Sequence, residues 1–351
     1  MRFVHDTLPQ RVRFASDGAA EGLAAEVAAL GARRVMVIAG TSEQEPAARV
    51  TAGLPVVHRH DDVVMHVPLE VAQRARAAAA ERDVDALVSV GGGSTTGLAK
   101  AVALTTGLPI IAVPTTYAGS EATAVWGLTD NSVKTTGTDP KVLPRAIVYD
   151  AALTLSLPVE LSVASGLNAL AHCVDSLWAP RADPINQALA VEGARALRAG
   201  LPLVAAAPAG MDGREQALYG AYLSASAFAS AGSGLHHKIC HVLGGMFNLP
   251  HAQTHAVVLP HVLAFNAPGV PEVERRLAVA LDAPTADEGL ARLRERLNAP
   301  HSLRELGMPS DGIAEAAKAV VAAAPAGNPR PVTLDAITEL LRTAWEGTDP
   351  R

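Results

Sequence analysis

Between residues 30 and 150 the chain alternates short, wholly apolar runs with Ala-rich stretches. RVMVIAG ends at Gly40, DVDALVSVGGGS covers 83–94, LPIIAVPTT covers 108–116 and RAIVYD covers 145–150. A run that is apolar at every position, rather than at every second one, is a strand buried on both faces, and the helical stretches between such runs supply the crossovers that a parallel sheet needs. After Asp150 the pattern changes: INQALAVEGARALRAGLPLVAAA and VERRLAVALDA place apolar residues at helical spacing, with hardly a strand-like run among them. The pattern predicts an α/β domain with a parallel sheet over 1–155 and an all-α domain over 156–351, divided within Ala151–Pro158.

Composition agrees with two packed cores. The chain has 351 residues, 49% hydrophobic and 18% charged, too long for one ordinary core and too apolar for disorder. Twenty-nine basic residues against 35 acidic ones give a formal charge of −6 without a Lys/Arg run, so neither a nucleic acid nor an anionic membrane is the expected partner; a small molecule is. The N-terminal MRFVHDTLPQRVRFA interrupts each apolar run with Asp6, Pro9 or Arg, and no stretch of about 18 apolar residues occurs, so a soluble, cytoplasmic protein is expected. The two cysteines, Cys173 and Cys240, each sit next to a histidine, His172 and His241, without a short-range cysteine partner, and read as small buried residues in a reducing compartment rather than as a disulfide or a Cys₂His₂ zinc site.

Two loops carry nucleotide-binding chemistry. In VSVGGGSTTGLAKAVAL, Gly91, Gly92 and Gly93 stand between a buried strand and a helix that Ser94 is expected to cap. Glycines let backbone approach a phosphate, and a helix start supplies free N–H groups and a positive dipole end. PTTYAGSEATA again follows a strand, with Thr115, Thr116, Tyr117 and Ser120 offering hydroxyls, so two loops at one sheet edge would hold one dinucleotide. After the run ending at Gly40, where many such folds place an acid for the ribose, the next residues are Thr41 and Ser42. Discrimination between NADH and NADPH is therefore weakly encoded, and both are expected to serve.

Seven of the twelve histidines lie between 172 and 261. Asn168 and His172 are four apart, as are His237 and His241, so each pair shares a helix face; His251 follows on a Leu-Pro-His turn. Three imidazoles from separate elements can meet at one point, whereas His236, His255 and His261 read as structural or supporting. A single histidine is a ligand or acid/base only when its partners are placed too.

These residues, with GGGS and PTTYAGSE, resemble the iron-containing alcohol dehydrogenase family over essentially the whole chain. The resemblance implies a Rossmann-like N-terminal domain and a helical C-terminal domain of the dehydroquinate synthase-like fold, assembled as a homodimer. In metal-dependent members an Asp and three His hold Fe²⁺ or Zn²⁺; the matching positions here are Asn168, His172, His237 and His251. The runs PTTYAGSEATAVWGLTD, KTTGTDPKVLPRAIVYD, GLNALAHCVD, HHKICHVLGGMFNLPHA and NPRPV are similar to the maleylacetate reductase branch, which implies reduction of the carbon–carbon double bond of 2-maleylacetate to 3-oxoadipate by NADH or NADPH, without a metal, in bacterial breakdown of aromatic compounds.

An amide in place of a carboxylate is a poorer ligand for a hard divalent cation, and Lys238 is the candidate replacement charge. On this reading Lys238, with His172 or His237, stabilises the enolate oxygen that grows as hydride adds, and His241, or failing that His251, delivers the proton. The cationic cluster also suits two substrate carboxylates, as would Arg330 if NPRPV folds back. The nearest alternative is a metal-dependent alcohol or polyol dehydrogenase using His172, His237 and His251. A lyase of the dehydroquinate synthase type and a nucleotide-sensing module are further alternatives.

Overall fold

The structure, a computed structural model, describes residues 2–130 and 133–350. Two compact units are present, one formed by Leu8–Leu157 and the other by Pro158–Arg351 with Met1–Thr7. The division falls inside the predicted Ala151–Pro158 segment, and the N-terminal residues go with the second unit.

In the first unit six strands form one parallel sheet: β1 (Arg11–Phe14), β2 (Val35–Ile38), β3 (Val56–His60), β4 (Ala86–Gly91), β5 (Ile110–Pro114) and β8 (Ala146–Tyr149), in the order β1-β8-β5-β4-β2-β3. The four predicted apolar runs are β2, β4, β5 and β8. Alternation along β2 shows why they are apolar throughout: Val35 and Val37 join one core, and Met36 and Ile38 join the core on the opposite face. The first core is covered by α1 (Ala19–Leu30) and α2 (Gln44–Val50), the second by α3 (Leu69–Glu81) and α4 (Gly93–Thr106). An antiparallel hairpin of β6 (Val125–Asp130) and β7 (Val133–Thr138) stands outside the sheet. β1, β3 and the hairpin lack a continuous apolar run, since each is at least partly exposed, and the hydropathy pattern does not announce them.

The second unit is helical: α5 (Val159–Ser176), α6 (Pro184–Ala206), α7 (Met211–Ala231), α8 (Leu235–Phe247), α9 (His251–Asn266), α10 (Pro271–Ala280), α11 (Ala286–Arg296), α12 (Ile313–Ala323) and α13 (Leu334–Glu346). α6 starts where Asp183 accepts from the Ile185 and Asn186 amides, Asn186 accepts in return from the Asp183 amide, and Pro184 occupies the first turn, where no N–H is needed. α6 and α7 approach at backbone distance: a Cβ on Gly220 would stand 2.9 Å from the Gly193 carbonyl oxygen, and one on Gly200 would stand 2.8 Å from that of Gly213. Among the described residues no helix is long and apolar enough to cross a membrane.

Candidate active site

The nucleotide-loop residues of the first unit gather at the carboxyl ends of three adjacent strands. β2 leads to Gly40, β4 to Gly91 and β5 to Thr115; β4 lies between β2 and β5, and the Thr115 amide donates to the Gly91 carbonyl at 3.1 Å. Gly91 has φ +152°, and a Cβ there would stand 2.4 Å from Thr95 Oγ1; one on Gly92 would meet Thr116 Cγ2 at 3.0 Å. The turn therefore excludes side chains, as a cradle for backbone-to-phosphate contact requires. One expectation is corrected here: Ser94 does not cap α4. The helix begins at Gly93 behind Gly92, with no side-chain cap, so its first-turn N–H groups are left to an anion rather than spent on a hydroxyl.

The second loop is braced from beneath by Lys100, which the motifs do not single out. Its Nζ donates to the Ser120 carbonyl at 2.6 Å, to Thr123 Oγ1 at 3.0 Å and to the Val125 carbonyl at 2.8 Å. Burial lowers its pKa to about 7, with the Glu121 carboxylate pulling the other way. Tyr117 is fully buried and supports this loop, whereas Thr116, Ser94 and Ser120 are partly exposed. Glu43 likewise carries no motif that marks it in the sequence. Its carboxylate oxygen lies 3.0 Å from where a Cβ on Gly40 would stand, so an acid does reach the turn after β2 although Thr41 and Ser42 come first.

The histidine cluster forms in the second unit. Asn168 and His172, one turn apart on α5, are both buried. His237 on α8 is buried with its ring stacked on His172, centroids 5.0 Å apart, and Phe228 of α7 packs against both rings. His241, one turn further along α8, is exposed, with its ring edge-on to His237 at 6.1 Å. His251 opens α9, is also exposed, and lies against His255 with ring centroids 4.4 Å apart. Lys238 is half-buried on α8.

Asp175, one turn after His172, organises this cluster and was not anticipated. Fully buried, it accepts from the Gly234 amide at 2.8 Å, from the His236 and His237 amides at 3.4 Å, and pairs with His237 Nδ1 at 2.7 Å. A Cβ on Gly234 would stand 2.3 Å from Asp175 Oδ1, so the close approach needs glycine. Burial pushes the Asp175 pKa up to about 7, against the pull of those three amides and of Lys238. Accepting from Nδ1 fixes the His237 tautomer and leaves Nε2 as the free, buried, unpartnered nitrogen. Asn168 Oδ1 and His172 Nδ1 are likewise buried without a partner. Burial, reinforced by neighbouring histidines, keeps the imidazoles neutral: His172 falls to about 4, and His237 and His255 lie well below the usual histidine value.

The metal set implied by the family does not fit these residues. Asn168 offers an amide, and among the described residues the group of three or more His, Cys, Asp or Glu whose ligand atoms all lie within 4.8 Å is not His172, His237 and His251 but His236, Cys240 and His255. Both cysteines are free and buried, as the sequence reading expects, and Cys240 Sγ lies 3.6 Å from Nε2 of His236, one turn earlier. His236 and His255 form a buried pair, Nε2 to Nδ1 at 2.9 Å. His261 is buried apart from them, against Thr343. Arg330 does not fold back to the cluster: its guanidinium donates to the Phe265 carbonyl and lies over the Phe265 ring, 14 residues and about 21 Å along α9 from His251.

Comparison with known proteins gives one lineage for both units. Residues 9–151 match the model described as iron-containing alcohol dehydrogenase, and residues 162–345 match the C-terminal model of the Fe-containing alcohol dehydrogenase family. A maleylacetate reductase of Sphingobium indicum is 48% identical, covering 100% of this chain and 99% of that protein. The crystal structure of an iron-containing alcohol dehydrogenase from Corynebacterium glutamicum is 60% identical with a TM-score of 0.98, covering 100% of this chain and 98% of that one. That of maleylacetate reductase from Rhizobium sp. strain MTP-10005 is 43% identical with a TM-score of 0.94, covering both chains fully. The chain belongs to the iron-containing alcohol dehydrogenase family.

Proposed function

We propose that the chain is a maleylacetate reductase, which reduces the carbon–carbon double bond of 2-maleylacetate to 3-oxoadipate with NADH or NADPH and uses no metal at Asn168, His172, His237 and His251. Identity above 40% to proteins of that name, over the full length of both chains, carries the reading. Asn168, an amide at the position matching the carboxylate ligand of metal-dependent members, favours it over a metal-dependent alcohol dehydrogenase.

Gly91, Gly92, Gly93 and Ser94, with Gly40, Thr115, Thr116 and Ser120, hold the dinucleotide, and Glu43 beside Gly40 disfavours a 2′-phosphate without barring NADPH. The bound nicotinamide supplies the hydride. As the double bond is reduced, negative charge grows on the substrate's ketone oxygen, and groups already in place stabilise it better than groups that must reorganise. Lys238 provides the positive charge and Asn168 its amide. His237, held by Asp175, presents one nitrogen in a fixed orientation, and His172 stacks against it. His241 delivers the proton to the α carbon; being exposed, it recovers that proton from solvent. With the buried imidazoles of His172 and His237 neutral, the positive charge offered to a dicarboxylate comes from the half-buried Lys238.

Following NADH absorbance with maleylacetate in the presence of a chelator tests substrate, cofactor and metal together. Steady oxidation of NADH, unaffected by prolonged chelation, is expected. Activity that returns only on adding Fe²⁺ or Zn²⁺, or turnover of simple alcohols alone, would overturn the proposal.

A further inference from the structure

We propose that His236, Cys240 and His255 form a binding site for one borderline-soft divalent cation of the Zn²⁺ class, separate from the Asn168, His172, His237 and His251 set. His236 and Cys240 are four apart on α8 and so lie on one face, and His255 reaches them from α9. All three are buried, at 0%, 2% and 0% exposure, and a potential ligand atom from each lies within 4.8 Å of the other two.

The spacing suits tetrahedral coordination. Zn–N bonds of about 2.0–2.1 Å and Zn–S bonds of about 2.3 Å put neighbouring donors about 3.3 Å apart for N and N and about 3.5 Å apart for N and S. Here His236 Nε2 lies 2.9 Å from His255 Nδ1 and 3.6 Å from Cys240 Sγ. A shift of a few tenths of an ångström therefore converts the imidazole hydrogen bond into a shared ligand edge. His237, with ring centroids 5.2 Å from His236 and 4.9 Å from His255, packs beside the site with its Nε2 unpartnered.

Ligand chemistry selects the ion. Two imidazoles and a thiolate suit Zn²⁺ or Co²⁺ better than the oxygen-seeking Mg²⁺, Ca²⁺ or Mn²⁺. The balance closes with one proton released: the imidazoles stay neutral, their remaining protons moving to the nitrogens that face away from the ion, and the Cys240 thiol gives its proton to solvent. The resulting charge of +1, from the ion and the thiolate, sits beside the buried carboxylate of Asp175.

Protein from cells grown in zinc- and, separately, cobalt-supplemented medium supplies the test. About one equivalent of metal is expected by elemental analysis, and the cobalt form should carry a sulfur-to-cobalt charge-transfer band. Cys240→Ala and His255→Gln should each lower occupancy at least tenfold, and the near-isosteric Cys240→Ser should remove the charge-transfer band; circular dichroism confirms that each variant is folded. His172→Gln and His251→Gln should keep the metal and the band. Wild-type protein with under a tenth of an equivalent, cobalt bound without the band, metal retained in Cys240→Ala, or metal lost in His172→Gln or His251→Gln would each overturn the proposal.

Discussion

Asp175 gathers three backbone amides and one imidazole around a buried carboxylate, so its role reaches the substrate only through His237. Asp175→Asn keeps the shape and most of the amide contacts but permits the other His237 tautomer. Turnover should fall about 10–100-fold, as when a carboxylate supporting a functional histidine is removed, with little change in KM and with an altered pH profile. A purely structural Asp175 would instead lower thermal stability and leave the profile of the surviving enzyme unmoved. Lys238→Ala should lower turnover about 10²–10³-fold, the usual cost of one donor to a growing oxyanion, while NADH binding measured by fluorescence stays within about twofold; unchanged turnover would remove Lys238 from the mechanism. The two residues differ in legibility. Lys238 stands out beside His237 in the chain, whereas Asp175 is three residues from His172 and 59 from Gly234, and only folding shows that α5 caps α8.

At the scale of elements, the glycines do two separate jobs. Those after β4 free a helix start for an anion, and those of α6 and α7 let two helices touch. Gly220→Val would drive a side chain into the Gly193 carbonyl and Leu197. Forced overpacking of this kind costs about 1–3 kcal/mol, so the urea midpoint should fall with nucleotide binding to the other unit unchanged. A midpoint equal to wild type would mean that the seam opens freely. The glycine triplet is legible because three in succession after a strand have few uses. The α6/α7 seam is not, since a glycine within an Ala-rich helical stretch looks the same whether it faces solvent or another backbone. Ser94 shows a local rule losing to the turn: Gly92 and Gly93 place the helix start two residues earlier than the hydroxyl would.

For the whole molecule, buried neutral imidazoles make stability depend on pH. Burial lowers His172 and His261 to about 4 and His236 to about 3, and His237 and His255 move the same way. A lowered folded value means that the unfolded chain binds more protons below about pH 6.5. This stabilisation is therefore complete above about pH 6.5 and is lost as pH falls towards the folded values. Asp175, raised to about 7, has the opposite sign and gains as pH falls from 7. Five histidines shift this way against one carboxylate, so the net effect is a loss of stability as pH falls below about 6, with about 1.4 kcal/mol per pH unit as the ceiling for each histidine in excess. Urea midpoints at pH 7.5 and 5.5 measure it; equal midpoints would mean that the cluster takes up protons in the folded state.

Periodicity by itself determined the parallel sheet and the helical second half, because burial on both faces or on one helical stripe dictates hydropathy residue by residue. Spacing also determined that Asn168 and His172, and His237 and His241, share faces, since four residues make about one turn whatever surrounds them. Tertiary structure alone decided which of the clustered histidines meet. It stacked His172 on His237, turned His251 to His255, and brought His236, Cys240 and His255 together. The reason is physical: contacts between helices depend on crossing angle and rotation about each axis, and no local pattern of side chains encodes either.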